Sequence, residues 1–259
     1  MVENSCSEGE GRVVLVTGGS RGIGEAICME FAHPGNTVVV NYRSSRSKAE
    51  EVVEKVKSCG GKAFSIKADV AVPGEVKGMV EEVAGRCNGI DVLVNNAGLT
   101  RSGFLMLVGE EAWEEVMDTN LKGVFNTCKA VIPSMIDRKK GIIINISSLS
   151  GIIGLAGEVP YSAAKGGVIA LTRALSKEVA RFGILVNAVA PGVIESEMTE
   201  GLPDADRERF KRDIPLQRFG KPEEVSGVVR FLASPEARYI TGETVVVSGG
   251  LWELGRSQW

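Results

Sequence analysis

Tyr161 and Lys165 lie four residues apart in Tyr161-Ser162-Ala163-Ala164-Lys165. Four residues is about one helical turn, so a phenol and an ammonium would leave the same face of a helix. A cation beside a phenol favours the phenolate and draws its pKa down from a reference of about 10. Such a tyrosine can pass a proton to or from an oxygen near neutral pH, the acid–base step of carbonyl–alcohol interconversion. The same spacing also arises by chance on a helix surface, so its weight depends on the residues around it. Ser148 stands thirteen residues before Tyr161, and its hydroxyl can hydrogen-bond a reacting carbonyl oxygen.

A second group of residues suits a nucleotide. In Thr17-Gly18-Gly19-Ser20-Arg21-Gly22-Ile23-Gly24 the glycines follow G-x3-G-x-G, between a short apolar run and a helical pattern. Glycines permit a tight turn and close backbone approach, and the following helix offers its N-terminus to phosphate; the bland alternative is a glycine-rich turn. Further on, Asn41-Tyr42-Arg43-Ser44 carries no acid, and none occurs between Val40 and Ala49. NAD-selective sites commonly hold an acid there, whereas arginine accommodates the 2′-phosphate of NADP. Arg21, Arg43 and Arg46 therefore favour NADP(H), unless they are solvated surface charges. Asp69-Val70 can meet an adenine through carboxylate and backbone, or Asp69 can cap a helix. Asn95-Asn96-Ala97-Gly98 is small and polar enough for backbone to lie against a cofactor, and it would be equally ordinary as a turn. Pro191-Gly192 forms a turn that can cover a nicotinamide.

These segments fall at the ends of short apolar runs. Strands are expected at Val13–Val16, Thr37–Tyr42, Ala63–Ala68, Val92–Asn95, Ile142–Ser147, Leu185–Val189 and Thr244–Val247. Helical patterns alternate with them at Gly22–Ala32, Lys48–Cys59, Pro73–Cys87, Ala112–Asp137, Tyr161–Phe182 and Pro222–Leu232. Most of the runs are apolar throughout, as strands covered on both faces are. Strand–helix alternation with right-handed crossovers predicts an α/β fold: a Rossmann-type, doubly wound parallel sheet of about seven strands with helices on both faces. One domain is expected over 1–259, with a polar extension at 1–11 and a tail at 251–259. The charged stretch Glu195–Ile214 reads as a lid. Together with Leu99–Leu107 and Gly151–Val159 it would build the substrate pocket.

Composition narrows the partners. The formal net charge is −3 over 259 residues, with acids and bases interspersed, which argues against nucleic acid or a membrane as the main partner. Five cysteines, Cys6, Cys28, Cys59, Cys87 and Cys128, are spread without metal-ligand spacing. They read as free thiols in a reducing compartment, and no metal is expected. Met1–Gly11 has neither an apolar signal core nor an Arg-rich transit pattern, so a cytoplasmic location is expected.

Taken in order and spacing, these residues resemble the short-chain dehydrogenase/reductase family over about Arg12 to Gly250. The resemblance implies a catalytic tetrad of Asn120, Ser148, Tyr161 and Lys165. Tyr161 would be the general acid in reduction and Ser148 would orient the carbonyl. Lys165 would bind the nicotinamide ribose and lower the phenol's pKa, and Asn120 would hold a water in a proton relay. It further implies NADPH/NADP+ contacts from Gly18, Ser20, Arg21, Gly22, Ile23, Gly24, Asn41, Arg43, Ser44, Asp69, Val70, Asn95, Ala97, Gly98, Tyr161, Lys165, Pro191, Gly192, Ile194 and Ser196.

Within the family, Ser20–Gly24, Asn120–Phe125, Ile214–Val225 and Tyr239–Gly242 are most similar to the branch that reduces 3-oxoacyl groups on an acyl carrier protein. That branch is typically homotetrameric. An acidic carrier would dock on basic residues, for which Arg138, Lys139, Lys140 and Arg181 are candidates; each is also readable as an ordinary solvated charge. Several positions depart from the pattern. Phe182 stands before Gly183, where a docking arginine is common; Ser196 replaces the usual threonine; Ser248 stands where Asn or Asp is common. The tail Leu251–Trp259 carries Trp252 and Trp259, expected to pack at a subunit interface or over the site. A dehydrogenase of free secondary alcohols or sugars, of the glucose-dehydrogenase sort, can share the Asn41–Ser44 stretch and remains the alternative. A catalytically silent nucleotide binder would need neither Tyr161 nor Lys165.

Overall fold

The Val- and Ile-rich runs pair into one sheet in the computed structural model, which describes residues 11–196, Thr199, Gly201 and 204–251. The strands are β1 (Val13–Val16), β2 (Thr37–Tyr42), β3 (Lys62–Lys67), β4 (Val92–Asn95), β5 (Gly141–Ile146), β6 (Ile184–Pro191) and β7 (Thr244–Val247). Their order is β3-β2-β1-β4-β5-β6-β7, and every pairing is parallel. The chain runs outward from β1 to β3, then returns to place β4 on β1's other side, with Leu15 paired to Val39 and to Leu93. That reversal opens a crevice at the carboxyl ends of β1 and β4, where ligands bind in such sheets.

The helices are α1 (Gly22–Glu30), α2 (Arg46–Ser58), α3 (Pro73–Cys87), α4 (Glu110–Met117), α5 (Gly123–Arg138), α6 (Ser150–Ile153), α7 (Val159–Val179), α8 (Asp204–Asp213) and α9 (Pro222–Leu232). Strand side chains alternate between faces, and each face has its own core. Val14, Val16, Val38, Val40 and Ile144 pack with Ile27 of α1 and Phe31 just past it, Val52 and Val56 of α2, and Val225 and Val229 of α9. Leu15, Val39, Leu93, Ile143 and Val186 pack with Val76 and Met79 of α3, Val131 and Met135 of α5, and Val168 of α7. Burying a Val or Leu side chain contributes about 1.5–3 kcal/mol, so both faces hold the sheet. A small satellite of Leu149, Ile214, Phe219 and Leu251 carries Phe210 of α8 near the crevice.

Several elements differ from expectation. The single helix expected over Ala112–Asp137 is two helices joined by a π turn at Asp118–Lys122, which inserts an extra residue and turns Asn120 inward. The charged Glu195–Ile214 stretch contains α8, and the Gly151–Val159 segment begins inside α6. Ser147, expected to end β5, follows the strand instead, donating its N–H to the Val189 carbonyl at 2.7 Å. Trp252 and Trp259 of the tail lie outside the described residues, as does Cys6. Among the described residues no helix is long and apolar enough to cross a membrane, and no cluster of His, Cys, Asp or Glu could hold a metal ion.

Candidate active site

The glycine loop after β1 is fixed by hydrogen bonds from its neighbours on both sides. On the β4 side, the Thr17 hydroxyl accepts the N–H groups of Asn96 and Ala97, each at 3.0 Å. Asn96 returns its amide N–H to the Thr17 carbonyl at 3.1 Å and the Gly18 carbonyl at 3.0 Å. On the β2 side, Asn41 accepts the Gly18 N–H at 3.3 Å through its side chain and the Gly19 N–H at 2.9 Å through its carbonyl. Its own amide donates to the Ala68 carbonyl at 3.0 Å, which joins the end of β3 to the loop. The loop needs glycine. Gly18 has φ +61°, and a Cβ there would sit 2.9 Å from Ala97 Cα, while one on Gly24 would meet the Gly18 carbonyl oxygen at 2.2 Å. Gly22 faces open space, at the start of the nine-residue α1. Backbone laid bare at a helix N-terminus fits a nucleotide's phosphates.

The residues expected to contact that nucleotide are not presented alike. Arg43 and Ser44 are exposed just past β2, while Arg46 leans toward Glu50 at 3.8 Å. Asp69 accepts the Ala71 N–H at 2.9 Å. Val70 is buried against Gly123, and its carbonyl accepts from Asn126 at 2.9 Å. Asn41 and Asn95 are each 2% exposed, and their side chains are committed inside the protein, so only their main chains can face a ligand. Asn95 belongs to a buried polar ladder: it donates to Asn145 at 2.8 Å, Asn145 donates to Thr172 at 2.8 Å, and Thr127 donates to Asn95 at 2.6 Å. Pro191 ends β6, the Gly192 N–H donates to the Val247 carbonyl at 2.9 Å, and Ile194 bridges to Gly220. The Ser196 N–H is received by the Thr199 hydroxyl at 2.8 Å.

Beside this cradle α7 brings in the second group. Pro160 sits in its first turn, and Ala164, Val168, Thr172 and Val179 face inward. The Ser147 hydroxyl donates to the Lys165 carbonyl at 2.8 Å, pinning the helix to the end of β5. The Ser148 hydroxyl lies beside the Tyr161 phenol, close enough to favour its ionised form, while it donates to the Ser150 hydroxyl at 3.2 Å and accepts the Ser150 N–H at 3.1 Å. Lys165 is 3% exposed, its ammonium donating to the Ile146 carbonyl at 2.8 Å and lying 5.7 Å from the centre of the Tyr161 ring. Asn120 is buried in the π turn. Its side chain accepts the Leu99 N–H at 2.8 Å and donates to the Leu99 carbonyl at 2.7 Å. A Cβ on Gly98 would lie 3.0 Å from the Asn120 side-chain oxygen and 3.5 Å from the Lys165 ammonium. Asn120, Ser148, Tyr161 and Lys165 thus gather around the ends of β4 and β5.

The electrostatics differ from the simple pairing expected of Tyr161 and Lys165. Burial pushes the Tyr161 phenol above its usual range; the Ser148 hydroxyl opposes this, and the Glu158 charge adds to it. Burial also pulls the Lys165 ammonium down to about 8. Desolvation is the largest influence on this phenol, with the Lys165 ammonium 5.7 Å from the centre of its ring. Thr17 and Asn96 fell within the expected motifs but were given no role of their own, although a polar pair following two apolar strands was a readable signal. Nothing in the sequence marked Asn145 and Thr172 as the supports of α7, except an asparagine inside the otherwise apolar Gly141–Ile146.

Comparison with known proteins adds a family. A family model described as Enoyl-(Acyl carrier protein) reductase matches residues 18–252. The chain is 49% identical over 238 residues to the 3-oxoacyl-(acyl-carrier-protein) reductase FabG of Staphylococcus aureus strain Mu50, covering 92% of this chain and 97% of that one. It is 48% identical over 241 residues to the 3-oxoacyl-(acyl-carrier-protein) reductase of Synechocystis, covering 93% and 96%. With the corresponding FabG of Thermotoga maritima it shares 46% identity over 242 residues, covering 93% and 98%.

Proposed function

This chain belongs to the short-chain dehydrogenase/reductase family, and on that premise we propose that it reduces the 3-ketone of an acyl-carrier-linked thioester with NADPH. It is an oxidoreductase acting on a keto or hydroxyl group, and the product would be the 3-hydroxyacyl form made in fatty acid synthesis. The observation that carries this reading is the Tyr161 phenol set beside the Ser148 hydroxyl at the crevice, with the buried Lys165 ammonium 5.7 Å from the ring. Two hydroxyls converging on one point suit an oxygen, which a ketone places on the carbon being reduced and an enoyl double bond does not.

A bound nicotinamide nucleotide supplies the hydride that makes the new C–H bond. Ser148 donates to the carbonyl oxygen and orients it. Tyr161, kept protonated by its raised pKa, gives its proton to that oxygen as negative charge builds there. Lys165, held by the Ile146 carbonyl, would have its remaining N–H groups free for the nucleotide's ribose. The Asn120 side chain is committed to Leu99, so any part it takes in a water relay falls to its main chain. Selectivity for NADPH is supported by the exposed Arg43 after β2 and by the absence of an acid between Val40 and Ala49. A guanidinium matches a phosphate's oxygens in a planar fork.

Carrier docking draws on fewer residues than the sequence suggested. Arg138 and Lys140 are engaged with Asp91 at 2.7 and 3.3 Å. Lys139, Lys140 and Arg181 are exposed, the last stacked 4.7 Å over the Phe182 ring. Apolar side chains turned outward at Phe125, Phe231 and Tyr239 support a homotetramer. The free thiols Cys28, Cys59, Cys87 and Cys128 suit a cytoplasmic enzyme. The test follows nicotinamide absorbance with acetoacetyl thioester, carrier-bound and as the short pantetheine analogue, against NADPH or NADH. Rapid NADPH oxidation, faster with the carrier form, is expected, and a crotonyl thioester is expected to stay unreduced. Turnover of sugars or simple secondary alcohols without turnover of either acetoacetyl thioester would overturn the assignment.

A further inference from the structure

Glu158 occupies the N-cap position of α7, three residues before Tyr161. Its main-chain carbonyl accepts the Ser162 N–H at 2.7 Å, starting the helix. Its carboxylate reaches the other way, accepting the Thr100 hydroxyl at 2.6 Å and the Ser102 hydroxyl at 2.5 Å. A main-chain bond from Gly103 to the Gly157 carbonyl at 2.8 Å runs alongside. The loop after β4 is thus held at Leu99 by Asn120 and at Thr100 and Ser102 by Glu158, across the front of the catalytic pair. The cation within that loop does not neutralise the carboxylate, because Arg101 turns to Glu115 in a two-pronged pair at 2.9 and 3.0 Å. Hydroxyl donors stabilise a carboxylate without cancelling its charge.

We propose that Glu158 determines substrate class: it clasps the loop to the catalytic helix and sets a carboxylate between that loop and the helix turn that bears Tyr161, so the site favours uncharged 3-oxo compounds over those bearing a carboxylate. This rests on the ketone reduction proposed above and narrows it, to esters and thioesters of 3-oxo acids rather than the free acids. The same charge helps hold the Tyr161 phenol protonated, after burial, which serves an acid in the reductive direction.

The probes are ethyl acetoacetate and acetoacetate, which present the same ketone and differ by one charge. The quantity read is the ratio of their kcat/KM values. Repulsion across several ångströms in a partly desolvated site supports a discrimination of roughly tenfold or more, and Glu158→Gln is expected to reduce the ratio by about that factor. The double variant Thr100→Val/Ser102→Ala opens the clasp but keeps the charge, so it should raise KM for the ester and preserve the ratio. A second reading needs no substrate: the Tyr161 titration, taken as the ultraviolet difference from the Tyr161→Phe form, should move to lower pH in Glu158→Gln. An unchanged ratio overturns the proposal, as does an unchanged titration should neither probe turn over. Failure with acetoacetyl thioester alone would instead count against the carrier-linked substrate, since the ester pair is read separately.

Discussion

On the β1–β4 side of the crevice, polar groups are tied to main chain: Thr17 to Asn96 and Ala97, Asn96 to Thr17 and Gly18, Asn41 to Gly18, Gly19 and Ala68. On the other side, the loop leading to α4 turns Phe104, Leu105, Met106 and Leu107 outward, Met106 being 90% exposed, with the Glu158 clasp as its principal anchor. The first side is built for a ligand whose shape does not vary. The second can be changed with little cost to the scaffold, which is how one fold serves many substrates.

If that division is real, substitutions on the two sides should fail differently. The largest effect is expected where the sides meet: Tyr161→Phe should lower turnover by about a hundredfold or more while cofactor binding, followed by fluorescence titration, persists. Near-normal turnover would remove Tyr161 as the acid. On the fixed side, Thr17→Val would leave the Asn96 and Ala97 N–H groups without their acceptor. A buried unsatisfied group costs about 1–3 kcal/mol, so the melting temperature should fall and NADPH affinity should weaken by roughly tenfold, with KM for the acyl substrate almost unmoved. Comparable damage to acyl KM would mean the two sides are one unit. Arg43→Ala should weaken NADPH by about tenfold, the loss of one charge-assisted contact, and NADH by far less; equal losses would end the 2′-phosphate reading. The smallest effect belongs to the adaptable side, where Met106→Gln should leave kcat and melting within about twofold and a few degrees, any change appearing as a preference among acyl chain lengths.

The sequence was most legible where local physics dominates. The runs Val13–Val16, Thr37–Tyr42 and Val92–Asn95 form strands with those same bounds, because β-branched residues buried on both faces leave little choice. Tyr161, Lys165 and Ser148 were readable as a group, since their spacing carries chemistry whatever surrounds it. Side-chain direction was not. Asn41, next to last in β2, and Asn95, which ends β4, turn inward to satisfy buried carbonyls and amides, because an unpaired buried polar group is costly. The π turn at Asp118–Lys122 escaped notice for a related reason. A helical period tolerates one extra residue without a break in its apolar pattern, and only the pairing of Asn120 with Leu99 fixes where that residue goes. Burial, which a four-residue spacing does not disclose, is the largest influence on the Tyr161 phenol.

The ladder from Asn95 through Asn145 to Thr172 also orders events in time. Its members are 50 and 27 residues apart in sequence, so the support behind the helix bearing Tyr161 and Lys165 is complete only once β4, β5 and α7 have all met. Contacts of such separation form late. During refolding, helical signal should therefore return well before the first turnover, and the chain would pass through a shape that resembles the enzyme while still lacking its chemistry.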